Sequence, residues 1–372
     1  MQPTRLPQRT PSSTLCNRFR APRSTAGLYC LTVDQLPLRE RVTAPDVALP
    51  TGDGGVTWRA ATEADIDAIL DCEQEISAAD HPHYMTIREE LEEDFEHSYV
   101  DLARDTAVAF DAGGRVLAWG LVLEPPGQET LVREILAGGV RPSERGRGLG
   151  RVLLQWQMDR GTERLAASDR TLPGWLMTFV DKRVDAAERL FVRSGLSASR
   201  YFLELRRDLA EPVPTIALDP QLTLVPFSAE LSEAARVARN ESFRDHWGSQ
   251  PMTDEQWVSF TGRSTFRPDL SFLAVADDGT IAGFVLSSVS EADWPGQGFS
   301  SAYLDLVGVT RQWRKRGVAA ALLAHTLEAV RIAGLDKAVL DVDSDSPTGA
   351  LGLYTRVGFA ESNTSVNFTK VF

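Results

Sequence analysis

Cysteine is scarce in this chain. Only Cys16, Cys30 and Cys72 occur in 372 residues, and no two form a C-x-x-C pair. The odd count and wide spacing argue against a disulfide framework and fit reduced thiols in a cytoplasm. No cysteine lies beyond position 72, so a thiol nucleophile is excluded from most of the chain. Histidine is also sparse. His81 and His83 stand two apart, but no carboxylate or thiol completes a metal set at a usual spacing, so no metal is expected. No apolar run approaches the ~20 residues that span a bilayer. Positive charge is in deficit. The formal net charge of −13 argues against nucleic acid and anionic membrane surfaces as partners. The deficit reverses at the start, where no acidic residue precedes Asp34. Residues 1–54 are rich in Pro, Ser, Thr and Arg and lack an apolar signal core. That composition is also found in organellar transit peptides, and of the two readings a disordered extension is preferred.

What is present is a device that occurs twice. The apolar run Tyr303–Val309 reads as a buried strand, and Ala320–Val330 has helix formers at a helical apolar period. Between them lies the basic turn Arg314-Lys315-Arg316-Gly317-Val318-Ala319. Strand, glycine turn and helix together present unpaired backbone N–H groups and the positive end of a helix dipole to an anion. A pyrophosphate suits that site, and Gly317 with the small Ala319 lets it approach the backbone. The second copy is Arg145-Gly146-Arg147-Gly148-Leu149-Gly150, preceded by Val140. In both copies Val stands five positions before Arg, Arg three before Gly, and Gly two before Gly or Ala. The offset is 169 residues, from Arg145 to Arg314. The surrounding strand and helix patterns repeat with it, so the repeat is domain-sized rather than a short solenoid unit.

Arg314-x-x-Gly317-x-Ala319 and Arg145-x-x-Gly148-x-Gly150 resemble the acyl-CoA pyrophosphate loop of the GNAT (GCN5-related N-acetyltransferase) superfamily. Gly349-Ala-Leu-Gly-Leu-Tyr354-Thr-Arg-Val-Gly358-Phe359 resembles that family's later A-x-x-L-Y-x-x-x-G-F signature. The layout is similar to the tandem GNAT proteins, of which mycothiol synthase is the best-known type. The resemblance implies an α/β fold with two GNAT-like domains, each a mixed, mostly antiparallel sheet flanked by helices. It also implies acetyl-CoA as co-substrate and direct attack by a primary amine of a small molecule. Acetylation of a cysteinyl amino-sugar thiol, as by mycothiol synthase, is one alternative. A CoA-binding scaffold without turnover is another. The expected enzyme is cytoplasmic, a monomer or homodimer.

Acyl transfer needs four things: the pyrophosphate held, the thioester carbonyl polarised, the amine deprotonated and the thiolate protonated. The backbone of 314–319 and the side chains of Arg314 and Arg316 are expected to take the first role, with Lys315 adding only long-range charge. By resemblance, the second falls to a backbone N–H near Val307 or Val309, where two parallel strands splay, with Gly308 marking a bulge. Tyr354 matches the family's general acid, since a phenol with pKa ~10 is protonated at neutral pH. Phe191 stands where the first copy would need that tyrosine, so the first copy binds CoA, or only keeps the fold, without efficient turnover. For the base, Asp305 is the candidate. Tyr303, Asp305 and Val307 share one strand face by alternation, and a carboxylate on an apolar strand has its pKa raised. The offset sets Glu134 opposite Tyr303. Asp341, Asp343 and Asp345 alternate with small or apolar residues. No EF-hand glycine or terminal glutamate follows them, so they read as one strand face and a polar loop near the cleft. His246-Trp247 reads as an aromatic wall for the acceptor or a helix cap.

The expected organisation is an extension over 1–54, a first GNAT-like domain over 55–210 and a linker over 211–220. The catalytic domain follows over 221–372. In the first domain, strands are expected at Thr106–Asp111, Val116–Leu123, Leu131–Val140 and Trp175–Val180, with Tyr201–Leu205 closing the unit. In the second, helix is expected over Thr348–Val357 and the last strand over Ser365–Val371.

Overall fold

The same element order runs twice along the chain in the computed structural model, which describes residues 36–52, 54–346 and 349–372. A short helix, α1 (Leu38–Arg41), comes first. The first half is β1 (Thr57–Arg59), α2 (Ile66–Asp80), α3 (Arg88–Glu96), α4 (Leu102–Asp105), β2 (Thr106–Phe110), β3 (Val116–Leu123), β4 (Val132–Val140), α5 (Leu149–Ala167), β5 (Gly174–Asp181), α6 (Asp185–Arg193) and β6 (Ser197–Asp208). The second is β7 (Leu222–Pro226), α7 (Ser232–Phe243), α8 (Asp254–Gly262), β8 (Phe272–Ala276), β9 (Ile281–Ser288), α9 (Trp294–Gln297), β10 (Ser301–Val309), α10 (Val318–Ile332), β11 (Lys337–Asp343), α11 (Ala350–Arg356) and β12 (Ala360–Val371).

Local chemistry accounts for the element ends. Thr62 and Asp65 form a capping box ahead of α2, and Thr253 accepts from the Gln256 N–H to start α8. Gly195, left-handed at φ +87°, follows the end of α6. All eight residues of β3 are buried, as a strand with helices on both faces requires. The expected helix start at Thr348 lies outside the described residues, and the helix is seen from Ala350.

The strands form one twelve-stranded sheet in the order β1-β2-β3-β4-β5-β12-β6-β11-β10-β9-β8-β7. Only β4 with β5 and β10 with β11 run parallel. The sheet is therefore mixed and mostly antiparallel, as expected, but the two halves are not separate units. β6 does not close the first half. It pairs with β11 over Asp208–Phe202 against Lys337–Asp343, while β12 pairs with β5. Each half thus lends its last strand to the other. Alternation shows that a segment is a strand but not which strand lies beside it, so this exchange is invisible in the sequence.

The expected extension over 1–54 also needs correcting. Residues 1–35, with Cys16 and Cys30, lie outside the described residues. The chain is docked at Leu38 and Val42. Leu38 is fully buried, with its Cδ2 2.8 Å from where a Cβ on Gly174 would stand. Arg41 donates to the carbonyl of Phe372 at 2.6 Å. Two buried apolar residues, Leu38 and Val42, with Arg41 and the backbone bonds of Leu38 and Arg39 to Arg170 and Ser168, dock a Pro- and Arg-rich stretch. The 211–220 segment has no helix or strand, yet Val213, Ile216 and Leu218 pack on the second half's core.

Candidate active site

The parallel ladder between β10 and β11 ends at Tyr303 opposite Val339. Beyond it β10 continues to Val309 on its β9 side alone. Every second residue of 304–309 therefore turns its N–H and C=O into the gap between the strands. Gly308 does not mark the bulge. The register shifts between Tyr303 and Leu306, and Gly308 is required because a Cβ there would sit 2.3 Å from the Phe284 ring. The extra residue at the bulge reverses the alternation. Ala302, Leu304, Val307 and Val309 all pack on the core with α10, whereas Leu306 packs with α7. Val307 therefore does not share a face with Tyr303 and Asp305. The bulge also undoes the match between Glu134 and Tyr303. Glu134 is fully buried against α5, beside Arg164 at 3.3 Å, and faces the opposite side of the sheet from Tyr303.

Asp305 sits in this bulge. Its Oδ1 accepts from the Ser288 hydroxyl at 3.1 Å, while Oδ2 is shielded from solvent without a protein partner. Burial lifts its carboxyl to about 7, opposed by the Ser288 hydrogen bond. Tyr303, on the same face, donates to Asp341 Oδ2 at 2.7 Å. Asp341 stands opposite Glu204 of β6, and burial raises its carboxyl too. The result is a face lined by carboxylates and a phenol. The loop after α2 of the first half covers it. The Met85 N–H bonds Asp293, the His83 carbonyl accepts from Gln297, and Ser264 bonds Glu89 of α3. His83, whose Nδ1 is buried and unbonded, has its pKa lowered by burial, with Glu204 opposing and Arg206 adding to the shift. Sequence reasoning missed Glu204 and His83 because they belong to the other half. The alternation at Asp341 was the one available signal.

The turn from β10 to α10 is left-handed twice, at Lys315 (φ +63°) and Gly317 (φ +81°). Gly146 (φ +81°) and Gly148 (φ +89°) hold these places in the first half. The basic side chains are not deployed as expected. Arg314 folds inward and donates to the carbonyls of Val309 (3.3 Å) and Ser242 (3.0 Å), with Asp245 at 3.3 Å. Arg145 does the same with Val140 and Asp80. Arg316 lies over the Trp313 ring and bonds Asp219 and Gln221, and Arg147 pairs with Glu144. In an acidic chain, carboxylates are at hand to claim these guanidinium groups. Lys315 is exposed and forms no ion pair among the described residues. Among the non-glycine described residues it alone has positive φ, which costs about 1 kcal/mol. Lys315→Gly is expected to raise unfolding stability by up to about 1 kcal/mol in urea titration and to raise KM for acetyl-CoA several-fold.

Tyr354 packs edge-on against Phe359 at 5.8 Å and is nine-tenths buried. Its hydroxyl makes no hydrogen bond among the described residues, and burial pushes its pKa up. Gly358 (φ +93°) lies under Arg207, where a Cβ would stand 2.6 Å from Nε. In the first half Phe191 packs on Phe368. There β4 keeps regular register with β3, and the Thr178 hydroxyl bonds the Leu136 carbonyl at 3.0 Å across the gap to β5. His246 packs on Phe243, and Trp247 on Trp175 of the first half. No cluster of His, Cys, Asp and Glu among the described residues could hold a metal, and no helix among them is long and apolar enough to cross a membrane.

Residues 232–359 match the Acetyltransferase (GNAT) family. The chain is similar to a mycothiol acetyltransferase from Salinispora arenicola, 31% identical over 242 residues, covering 62% of this chain and 71% of that protein. A GCN5-related N-acetyltransferase from Sphaerobacter thermophilus is similar in structure, with TM-score 0.64 at 27% identity over 87% of this chain and 97% of that one. A tandem GNAT protein from the clavulanic acid biosynthesis pathway shares the fold, with TM-score 0.61 at 17% identity over 85% and 98% of the two chains. With its twice-used element order and split parallel strands, this chain belongs to the GNAT acetyltransferase family and is an acyltransferase of tandem layout.

Proposed function

We propose that the second half catalyses acetyl transfer from acetyl-CoA to a primary amine of a small molecule, in the cytoplasm. The observation that carries this reading is Asp305, a carboxylate with a free buried oxygen at the bulge of β10. Acetyl-CoA supplies an activated thioester carbonyl. The left-handed turn at 315–317 offers backbone N–H groups to its pyrophosphate, and Lys315 adds the uncommitted charge. Arg314 and Arg316 act on the loop's shape rather than on the anion. The unpaired N–H groups of 306–309 polarise the carbonyl.

Asp305 takes the amine's proton, directly or through one water, as the C–N bond forms. Tyr354 protonates the departing thiolate as the C–S bond breaks. Its raised pKa keeps the phenol protonated throughout the working range. Attack is direct, since the second half contains no cysteine. The first half retains the loop, but Phe191 and the Thr178 bridge fit a half without turnover.

The lining of Asp305, Asp341 and Glu204 suits a cationic acceptor with hydroxyls. Acetylation of a cysteinyl amino-sugar thiol, the reaction that the likeness to mycothiol synthase implies, is the second reading favoured by that face. Thiol release from acetyl-CoA across an amine panel tests the proposal. At least one amine is expected to turn over, and Tyr354→Phe to lower kcat about tenfold or more for it. Saturable acetyl-CoA binding with no release against any amine would leave a scaffold instead.

A further inference from the structure

The opposite cleft, where the second half covers the first, has the reverse charge. Arg133 of β4 donates to the Gly248 carbonyl at 2.8 Å, and Arg239 of α7 to the Gln250 carbonyl at 2.8 Å. Two guanidinium groups, one from each half, thus converge on one loop. Neither forms an ion pair among the described residues. Both Nε atoms are sealed from solvent without a partner, and neither Nη2 carries a hydrogen bond. Burial lowers both pKa values, that of Arg239 to about 10 with a further contribution from Arg133. Two like charges, desolvated and unpaired, are costly to keep, although the chain has a large excess of carboxylates to offer them.

A cavity of about 490 Å³ lies beside them. Its walls include Asn240, Phe243 and Gln250, which are the residues that Arg239 bonds or stacks upon. Arg244 and Arg311 also face it, against the carboxylates of Glu129 and Glu241. Glu241 is engaged by the Arg311 N–H at 3.0 Å. Asp245, the next carboxylate, is held by Arg311 and Arg314.

We propose that this seam binds a small oxyanion, a phosphoryl or carboxylate group, between Arg133 and Arg239. The site uses no residue of the loop at 314–319, which adjoins it through the Asp245 that Arg311 and Arg314 share, and none of those described around Asp305. Such a ligand bridges the two halves and supplies the missing counter-charge. Calorimetric melting of the full chain in inorganic phosphate, with ionic strength held by chloride, is the test, and malonate in place of phosphate is the second arm.

A saturable rise in melting temperature is expected, and the anion that acts at lower concentration identifies the chemistry. Arg239→Gln and Arg133→Gln are each expected to weaken the response at least tenfold, while melting no lower than wild type without the anion. Arg239→Lys, which keeps the charge and loses the fork, is expected to weaken it several-fold. The proposal is overturned by a response no larger than that to chloride, or by one unchanged in all three variants. It is also overturned if saturating CoA abolishes the phosphate response, since the anion would then occupy the coenzyme's own site.

Discussion

Asp305→Asn lowers kcat by about 100-fold or more if the carboxylate in the bulge is the base. The substitution keeps the Ser288 hydrogen bond and the volume, so packing changes little. The pH profile separates the proposed role from a structural one. A carboxyl raised to about 7 must lose its proton to act, so wild-type kcat rises through pH 7 and then levels. No falling limb follows below pH 10, because Tyr354 is shifted upward and stays protonated. In the Asn variant the rising limb at 7 disappears. Stability moves the other way. With its folded pKa above the unfolded value of about 4, Asp305 favours the fold at low pH and loses that contribution as pH rises toward 7. Asp305→Asn is therefore expected to gain relative to wild type by about 1.4 kcal/mol per pH unit at most across that window. An active, pH-indifferent Asn variant contradicts the assignment.

The fold was legible where local pattern determines structure. Val116–Leu123 is strand as its apolar run requires, and the paired glycine turns sit at strand-to-helix junctions, as expected. What failed depends on neighbours distant in sequence. The exchange of β6 and β12 and the docking of Leu38 are set by contacts across the whole chain. The bulge in β10 has a specific consequence. One inserted residue flipped Val307 to the other face and broke the correspondence of Glu134 with Tyr303. A fixed offset of 169 residues could not register that.

At the loop, the turn's position between strand and helix followed the motif, while the directions of its side chains did not. Arg314 matches the motif and Arg316 fills one of its open positions, but the motif does not say where a guanidinium points. Their partners Asp245, Asp219 and Ser242 lie 69 to 97 residues away. Lys315, read as the bystander, is the cation left uncommitted. Asp305 stood out because a carboxylate in an apolar strand needs a reason. Asp341 showed only an alternation, and His83 and Glu204 enter the cleft from the half read as inert.

The central claim is that chemistry belongs to the second half and to its main-chain grip on the coenzyme. Gly317 and Gly148 provide a matched pair. Both are left-handed helix starts, and a Cβ added at either meets no heavy atom closer than 3.9 Å. Gly317→Val and Gly148→Val should therefore carry the same backbone strain, about 1 to 2 kcal/mol each, and melt alike. They differ in which loop a branched side chain obstructs. The decisive measurement is kcat/KM for acetyl-CoA in both variants under conditions where both are folded. A fall of about 100-fold or more in Gly317→Val, with less than about threefold in Gly148→Val, is the predicted result. Loss in Gly148→Val with activity kept in Gly317→Val would contradict it.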